Sequence, residues 1–189
     1  MNFAVFVSDD AVALREIAEG CREYRIGGQI SVVIGSSGEG RALQLARDER
    51  IPAYDFSDDG RSVMFHEISE LLELYRADIL IITDHRCKLS EKILSEYKGR
   101  IFYIVPSTNS EYIASSLQEF RIYEDLLSAE ETSSAISIFR LDGTDGTTLV
   151  AQKPIRVYAM DTPETLAERI KFFKAEFVGD WLKKFTELT

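Results

Sequence analysis

Arg100-Ile101-Phe102-Tyr103-Ile104-Val105-Pro106-Ser107 decides the fold. Its five central residues are β-branched or aromatic, the types that suit a pleated surface. They do not alternate with polar residues, so the run predicts a strand buried on both faces, as in a parallel sheet. Pro106 ends it, because proline has no amide to extend a ladder. Upstream, Ala77 to Ile82 is a second apolar run of strand length. Downstream lies a glycine-flanked loop, Leu141-Asp142-Gly143-Thr144-Asp145-Gly146. Ligands of open α/β sheets bind just beyond the carboxyl ends of such strands, and candidate chemistry is sought there.

The rest of the chain supplies matching elements. Phe3–Val7 and Ile30–Ile34 read as further buried strands, and Ile51–Phe56 as an edge strand because of Pro52. Ala11–Tyr24, Gly38–Glu49, Phe65–Tyr75 and Ser90–Tyr97 carry apolar residues at helical spacing. Glu111–Leu127 is expected to be partly helical. Ala135–Leu141 and Leu149–Val157 predict two more strands, the second at an edge or bulged because it contains Pro154. Asp161-Thr162-Pro163-Glu164 predicts the start of the last helix, with Thr162 as cap and Pro163 at the first position. Strands alternating with helices imply a doubly wound, mostly parallel sheet with antiparallel C-terminal strands. One α/β domain over 1–189 is expected, with no internal repeat or linker.

Composition narrows the function classes. A formal net charge of −10 argues against a nucleic-acid interface, which needs clustered Lys and Arg. No stretch approaches the roughly 20 apolar residues of a membrane span. The N-terminal apolar run has no basic start and ends at Asp9 and Asp10, so it reads as a strand rather than a signal peptide. The expectation is a cytoplasmic protein with two free thiols, Cys21 and Cys87, and no metal site, since neither cysteine has a ligand set beside it.

Four loops could carry chemistry. Ser8, Asp9 and Asp10 follow the first strand. Their carboxylates and the lack of glycine suit a helix cap better than a phosphate cradle. Gly35–Gly40 is glycine-rich but lacks both Rossmann spacing and a P-loop lysine. Asp84, His85 and Arg86 lie at the mouth of the sheet, where His85 could move a proton and Arg86 with Lys88 could hold an anion. His66 begins an amphipathic helix and reads as a boundary residue. Asp145 beside Gly146 is either a turn former or a working carboxylate.

The ordered set of motifs resembles the folate-dependent formyltransferases, especially the glycinamide ribonucleotide type. The match runs through Ala42–Pro52 with Ala53-Tyr54, Asp78–Ser90, Lys98-Gly99-Arg100-Ile101, Pro106-Ser107 and Asp161–Arg169. The resemblance implies 10-formyltetrahydrofolate as formyl donor and a catalytic Asn, His and Asp. Asp145 matches that Asp. Tyr103 stands at the Asn position and Val105 at the His position, on one strand face because they are two residues apart. Val105 can neither donate a hydrogen bond nor move a proton. Ser107 and Asn109, with Tyr103, Val105, Asp84, His85 and Arg86, are the expected pocket residues.

Three functions follow from these readings. The first is a formyltransferase-fold protein with a degenerate site, holding a small molecule or a protein partner in the old cleft. The second is an active formyltransferase that uses Asp145 with Tyr103 or His85. The third is a subunit that pairs with itself or with an active homologue.

Overall fold

The computed structural model describes residues 1–7, 11–35, 40–56, 64–83, 89–114, 119–143 and 146–188. The strands are β1 (Asn2–Val7), β2 (Gln29–Gly35), β3 (Ala53–Asp55), β4 (Ile79–Ile82), β5 (Ile101–Val105), β6 (Ser133–Leu141) and β7 (Thr147–Arg156). The helices are α1 (Ala11–Arg22), α2 (Arg41–Asp48), α3 (Met64–Leu74), α4 (Glu91–Glu96), α5 (Glu111–Ala114), α6 (Glu119–Ser128) and α7 (Pro163–Glu187).

The sheet order is β3-β2-β1-β4-β5-β6-β7. β1 pairs in parallel with β2 and β4, and β5 in parallel with β4. β6 runs antiparallel to β5, and β7 antiparallel to β6. The apolar runs that predicted central strands are thus neighbours, and the hairpin adds the antiparallel pair. Their side chains alternate between two cores. Phe3, Val5, Ile79, Ile81, Phe102 and Ile104 face α1, α2 and α7 through Leu14, Leu43, Ile170 and Val178. Ala4, Phe6, Leu80, Ile82, Tyr103 and Val105 face α3 and α4 through Leu72, Ile93 and Tyr97. Burial on both faces is the reason these strands have no polar alternation.

Local chemistry sets the element ends. Ser90 caps α4, its hydroxyl accepting from Ile93 N at 3.3 Å. Thr162 caps α7 by accepting from Thr165 N at 3.3 Å, and the Thr165 hydroxyl accepts from Thr162 N at 2.9 Å. This reciprocal box, with Pro163 behind it, is the expected helix start. The second expected helix begins at Arg41, after Gly40, rather than at Gly38. Residues 38 and 39 lie outside the described residues.

The two sheet edges differ. β3 is three residues long and follows Pro52, as the edge reading predicts. β7 is ten residues long, with Pro154 opposite Ala135. The register against β6 shifts between Ile138 and Phe139, so Ile138 faces Ala151 whereas Phe139 faces Leu149. Val150 is the extra residue of a bulge, and it places Leu149 and Ala151 on opposite faces.

Gly28 marks a tight approach. A Cβ there would lie 2.5 Å from the Met1 carbonyl oxygen and 2.6 Å from the Phe3 ring. The Met1 carbonyl also accepts from Gln29 N at 2.9 Å, so it cannot yield without loosening the β1–β2 start. Gly28→Ala is expected to cost about 1–3 kcal/mol in a urea melt, by overpacking against backbone. A change below about 0.5 kcal/mol would show that this turn shifts freely.

Candidate functional site

β5 positions the expected site. Ile101, Tyr103 and Val105 share one strand face, and all are buried: Tyr103 is 2% and Val105 1% exposed. They belong to a single apolar cluster with Ile93 from α4, Tyr97 just after it, Ile122 from α6, and Phe139 and Leu141 from β6. α4 covers this face with Ile93, and Tyr97, the residue that caps its C-terminal end, packs beside it. Burial raises the Tyr97 phenol above its ordinary value, which the nearby Arg100 charge partly offsets. The Arg100 guanidinium stacks 4.4 Å from the Tyr97 ring centroid. A face lined this way offers dispersion contacts and few hydrogen-bonding groups.

Beyond the carboxyl end of β5, Ser107 is 4% exposed, and its hydroxyl accepts from Asn109 N at 3.1 Å. Asn109 itself is exposed. Thr83, just past β4, is 2% exposed and donates its hydroxyl to the Phe6 carbonyl at 3.2 Å. The Ser107 hydroxyl closes a turn after β5, whereas the Thr83 hydroxyl ties the end of β4 to β1. Sequence reasoning named Ser107 and Asn109 but not Thr83; its place directly after the Ile79–Ile82 run was the available signal.

Antiparallel pairing places the β6–β7 turn at the other end of β5. Val105 faces Ser137, whereas Ile101 faces Leu141, and Gly99 N donates to the Leu141 carbonyl at 2.9 Å. Asp142 in this turn accepts from Arg140 Nε at 2.8 Å and from the Thr148 hydroxyl. Those two hydrogen bonds, Thr148 first, hold its carboxyl below the ordinary aspartate value. Gly143, at φ +75°, supplies the left-handed conformation of the turn. Asp145, between the described Gly143 and Gly146, lies outside the described residues. So do Ser8, Asp9, Asp10, Asp84, His85 and Arg86.

Among the described residues, no cluster of three or more His, Cys, Asp or Glu could hold a metal. Sequence reasoning passed over Lys174, which is only 2% exposed on α7. Its spacing of four from both Ile170 and Val178, themselves buried, was the signal for it.

This α/β sheet, with its antiparallel terminal hairpin and β5 beside the central β4, has the architecture of the formyl transferase class. The chain belongs to the formyl transferase family, whose family model matches residues 1–180. It is similar to the phosphoribosylglycinamide formyltransferase of Escherichia coli, 24% identical over 174 residues, covering 90% of this chain and 80% of that one. The chloroplastic phosphoribosylglycinamide formyltransferase of Arabidopsis thaliana is 26% identical over 176 residues; the match covers 89% of this chain and 60% of that protein's length. In fold, it resembles glycinamide ribonucleotide transformylase 1 from Symbiobacterium toebii, with a TM-score of 0.83 at 22% identity, covering 99% and 88% of the two chains. The phosphoribosylglycinamide formyltransferase of Bacillus halodurans superposes with a TM-score of 0.85 at 18% identity, covering 98% and 95%. Among the described residues, no helix is long and apolar enough to cross a membrane.

Proposed function

We propose that this formyltransferase-fold protein does not transfer formyl groups and that its cleft holds a small molecule or a protein partner. One observation carries the reading. Tyr103 and Val105 stand where the family resemblance implies a catalytic Asn and His, and both are buried in an apolar cluster. Formyl transfer needs donors aimed at a developing oxyanion and a group to take the amine proton. Val105 supplies neither. A missing oxyanion donor alone is worth about 100-fold or more in rate. Residence in the cytoplasm, and pairing with an active homologue, agree with this reading.

A second reading rests on the relatives' names. On it, the chain transfers formyl from 10-formyltetrahydrofolate to glycinamide ribonucleotide, using Asp145 as proton acceptor together with Tyr103 or His85. One set of measurements separates the two. Wild type is expected to show no formyl transfer to glycinamide ribonucleotide above background. Titration calorimetry with that ribonucleotide is expected to show no heat, since Asp9 and Asp10 oppose a phosphate. Added 10-formyltetrahydrofolate that raises the melting temperature without turnover would support a binding role. Turnover at about 1 per second or faster, abolished by Asp145→Asn, would establish the second reading instead.

A further inference from the structure

α1 and α2 each follow one of two neighbouring parallel strands, so they run side by side in the same direction over one face of the sheet. Arg22 and Glu49 pair across them at 3.0 Å, which sets their relative height. Seven residues earlier stand Arg15 on one side and Ala42 on the other, about 10 Å nearer the strand ends. Arg41 adjoins Ala42. Arg15 and Arg41 are therefore close to level with one another across the groove between the helices.

Both arginines line a cavity of about 390 Å³, a volume within the usual range of small-molecule sites. Its two ends differ in chemistry. Arg15 and Arg41 line the end nearer the strands, and Gln44 and Asp48 continue it along α2. Gln44 Nε2 donates to Asp48 Oδ1 at 2.8 Å, so this second end presents mainly acceptor oxygens. The wall between is apolar, formed by Leu45 and by Val12, which is 42% exposed. Two guanidiniums brought level repel one another, and Asp48 stands about two helical turns from Arg41. An anion between the arginines relieves that repulsion, and an apolar body beside them covers Val12.

We propose that the α1–α2 groove binds a small amino carboxylate, a molecule with a carboxylate at one end, an amino group at the other and an apolar ring or chain between. Arg15 and Arg41 hold the carboxylate, since the guanidinium fork matches its two oxygens. Val12 and Leu45 pack on the body. The amino group donates to Asp48 and Gln44. The order of charges selects the ligand: a plain carboxylate leaves Asp48 without a partner, and an amine alone meets two cations. This groove lies on the sheet face covered by α1 and α2, whereas Tyr103 and Val105 point to the opposite face. The proposal is therefore independent of whether formyl transfer survives.

An NMR titration of the full chain with 4-(aminomethyl)benzoate tests it. The amides of residues 11–15 and 41–48 should shift saturably, with a Kd of about 0.1–1 mM for a ligand of this size. Arg15→Gln and Arg41→Gln should each raise that Kd about fivefold or more, by removing a charge-assisted hydrogen bond. Both residues are exposed, so the variants should keep the wild-type melting temperature. Arg47→Gln removes the same charge from an exposed residue of α2 outside the cavity, and it should leave the Kd within about twofold. 4-Methylbenzoate, which lacks the amino group, and benzylamine, which lacks the carboxylate, should each bind about fivefold more weakly or worse. No saturable shift up to about 5 mM overturns the proposal. So do shifts that map elsewhere, an equal loss in Arg47→Gln, or benzylamine binding as well as the amino carboxylate.

Discussion

Tyr103→Asn combined with Val105→His is expected to destabilise the protein by about 4–6 kcal/mol, because it puts a family-like polar pair into a packed core. Removing the Tyr103 ring opens space among Ile93, Tyr97, Phe139 and Leu141, and loss of a buried aromatic costs about 3–5 kcal/mol. The new amide and imidazole would be buried among apolar groups, which adds a desolvation cost of about 1–3 kcal/mol. Val105→His also adds volume at a position only 1% exposed. The two sites share neighbours, so their effects need not add. For a domain of this size the melting temperature should fall by roughly 10–20 °C. Differential scanning calorimetry on the two single variants and the double variant measures this. A double variant within about 1 kcal/mol of wild type would mean that the β5 face tolerates polar groups, and the degenerate-site reading would lose its main support.

Arg169→Ala should have the next largest effect, a loss of about 2–4 kcal/mol. The Asp161 side chain is only 7% exposed, and Arg169 holds it through Nη1, at 2.9 Å, and Nη2. Arg169 also donates to the Arg156 carbonyl at 3.2 Å and stacks 4.7 Å from the Tyr158 ring centroid. Its removal leaves a buried carboxylate whose remaining partners are Tyr158 N and the Thr165 hydroxyl. Breaking a buried pair is far more damaging than losing a surface one; the range is set below the buried extreme because Arg169 is 24% exposed.

The pH dependence has a definite sign. The Arg169 hydrogen bonds hold the Asp161 carboxyl below its ordinary value of 3.8. A depressed folded-state pKa contributes stability above the unfolded value, and that stability is lost as pH falls through the folded one. Urea melts of wild type should therefore weaken below about pH 4, and Arg169→Ala should flatten that part of the curve. An unchanged acid limb in the variant would show that Asp161 draws its stability from elsewhere.

The central strands and the chemistry of the β5 face illustrate how far local sequence reaches. Ile101–Val105, Phe3–Val7 and Ile79–Ile82 were legible as central strands because burial on both faces leaves no room for polar residues. Thr162 and Pro163 were legible as a helix start because capping is decided within four residues. The same holds for the shared face of Tyr103 and Val105, which follows from the two-residue repeat of a strand.

Other features depend on contacts between residues far apart in the chain, and local patterns do not carry them. The cover over Tyr103 comes from α4 and β6, so its burial among Ile93, Tyr97, Phe139 and Leu141 was decided only when those elements packed. The β6–β7 turn was readable as a turn, but its position beside Ile101 rather than Val105 follows from antiparallel pairing. The bulge at Val150 is a register event between two strands, with no signature in either alone. The sequence by itself determined which segments are central strands, where the last helix begins and that Tyr103 and Val105 share a strand face. Only the tertiary structure decided that this pair lies buried in an apolar cluster, because burial belongs to the packed sheet and helices together and not to the strand that carries the residues.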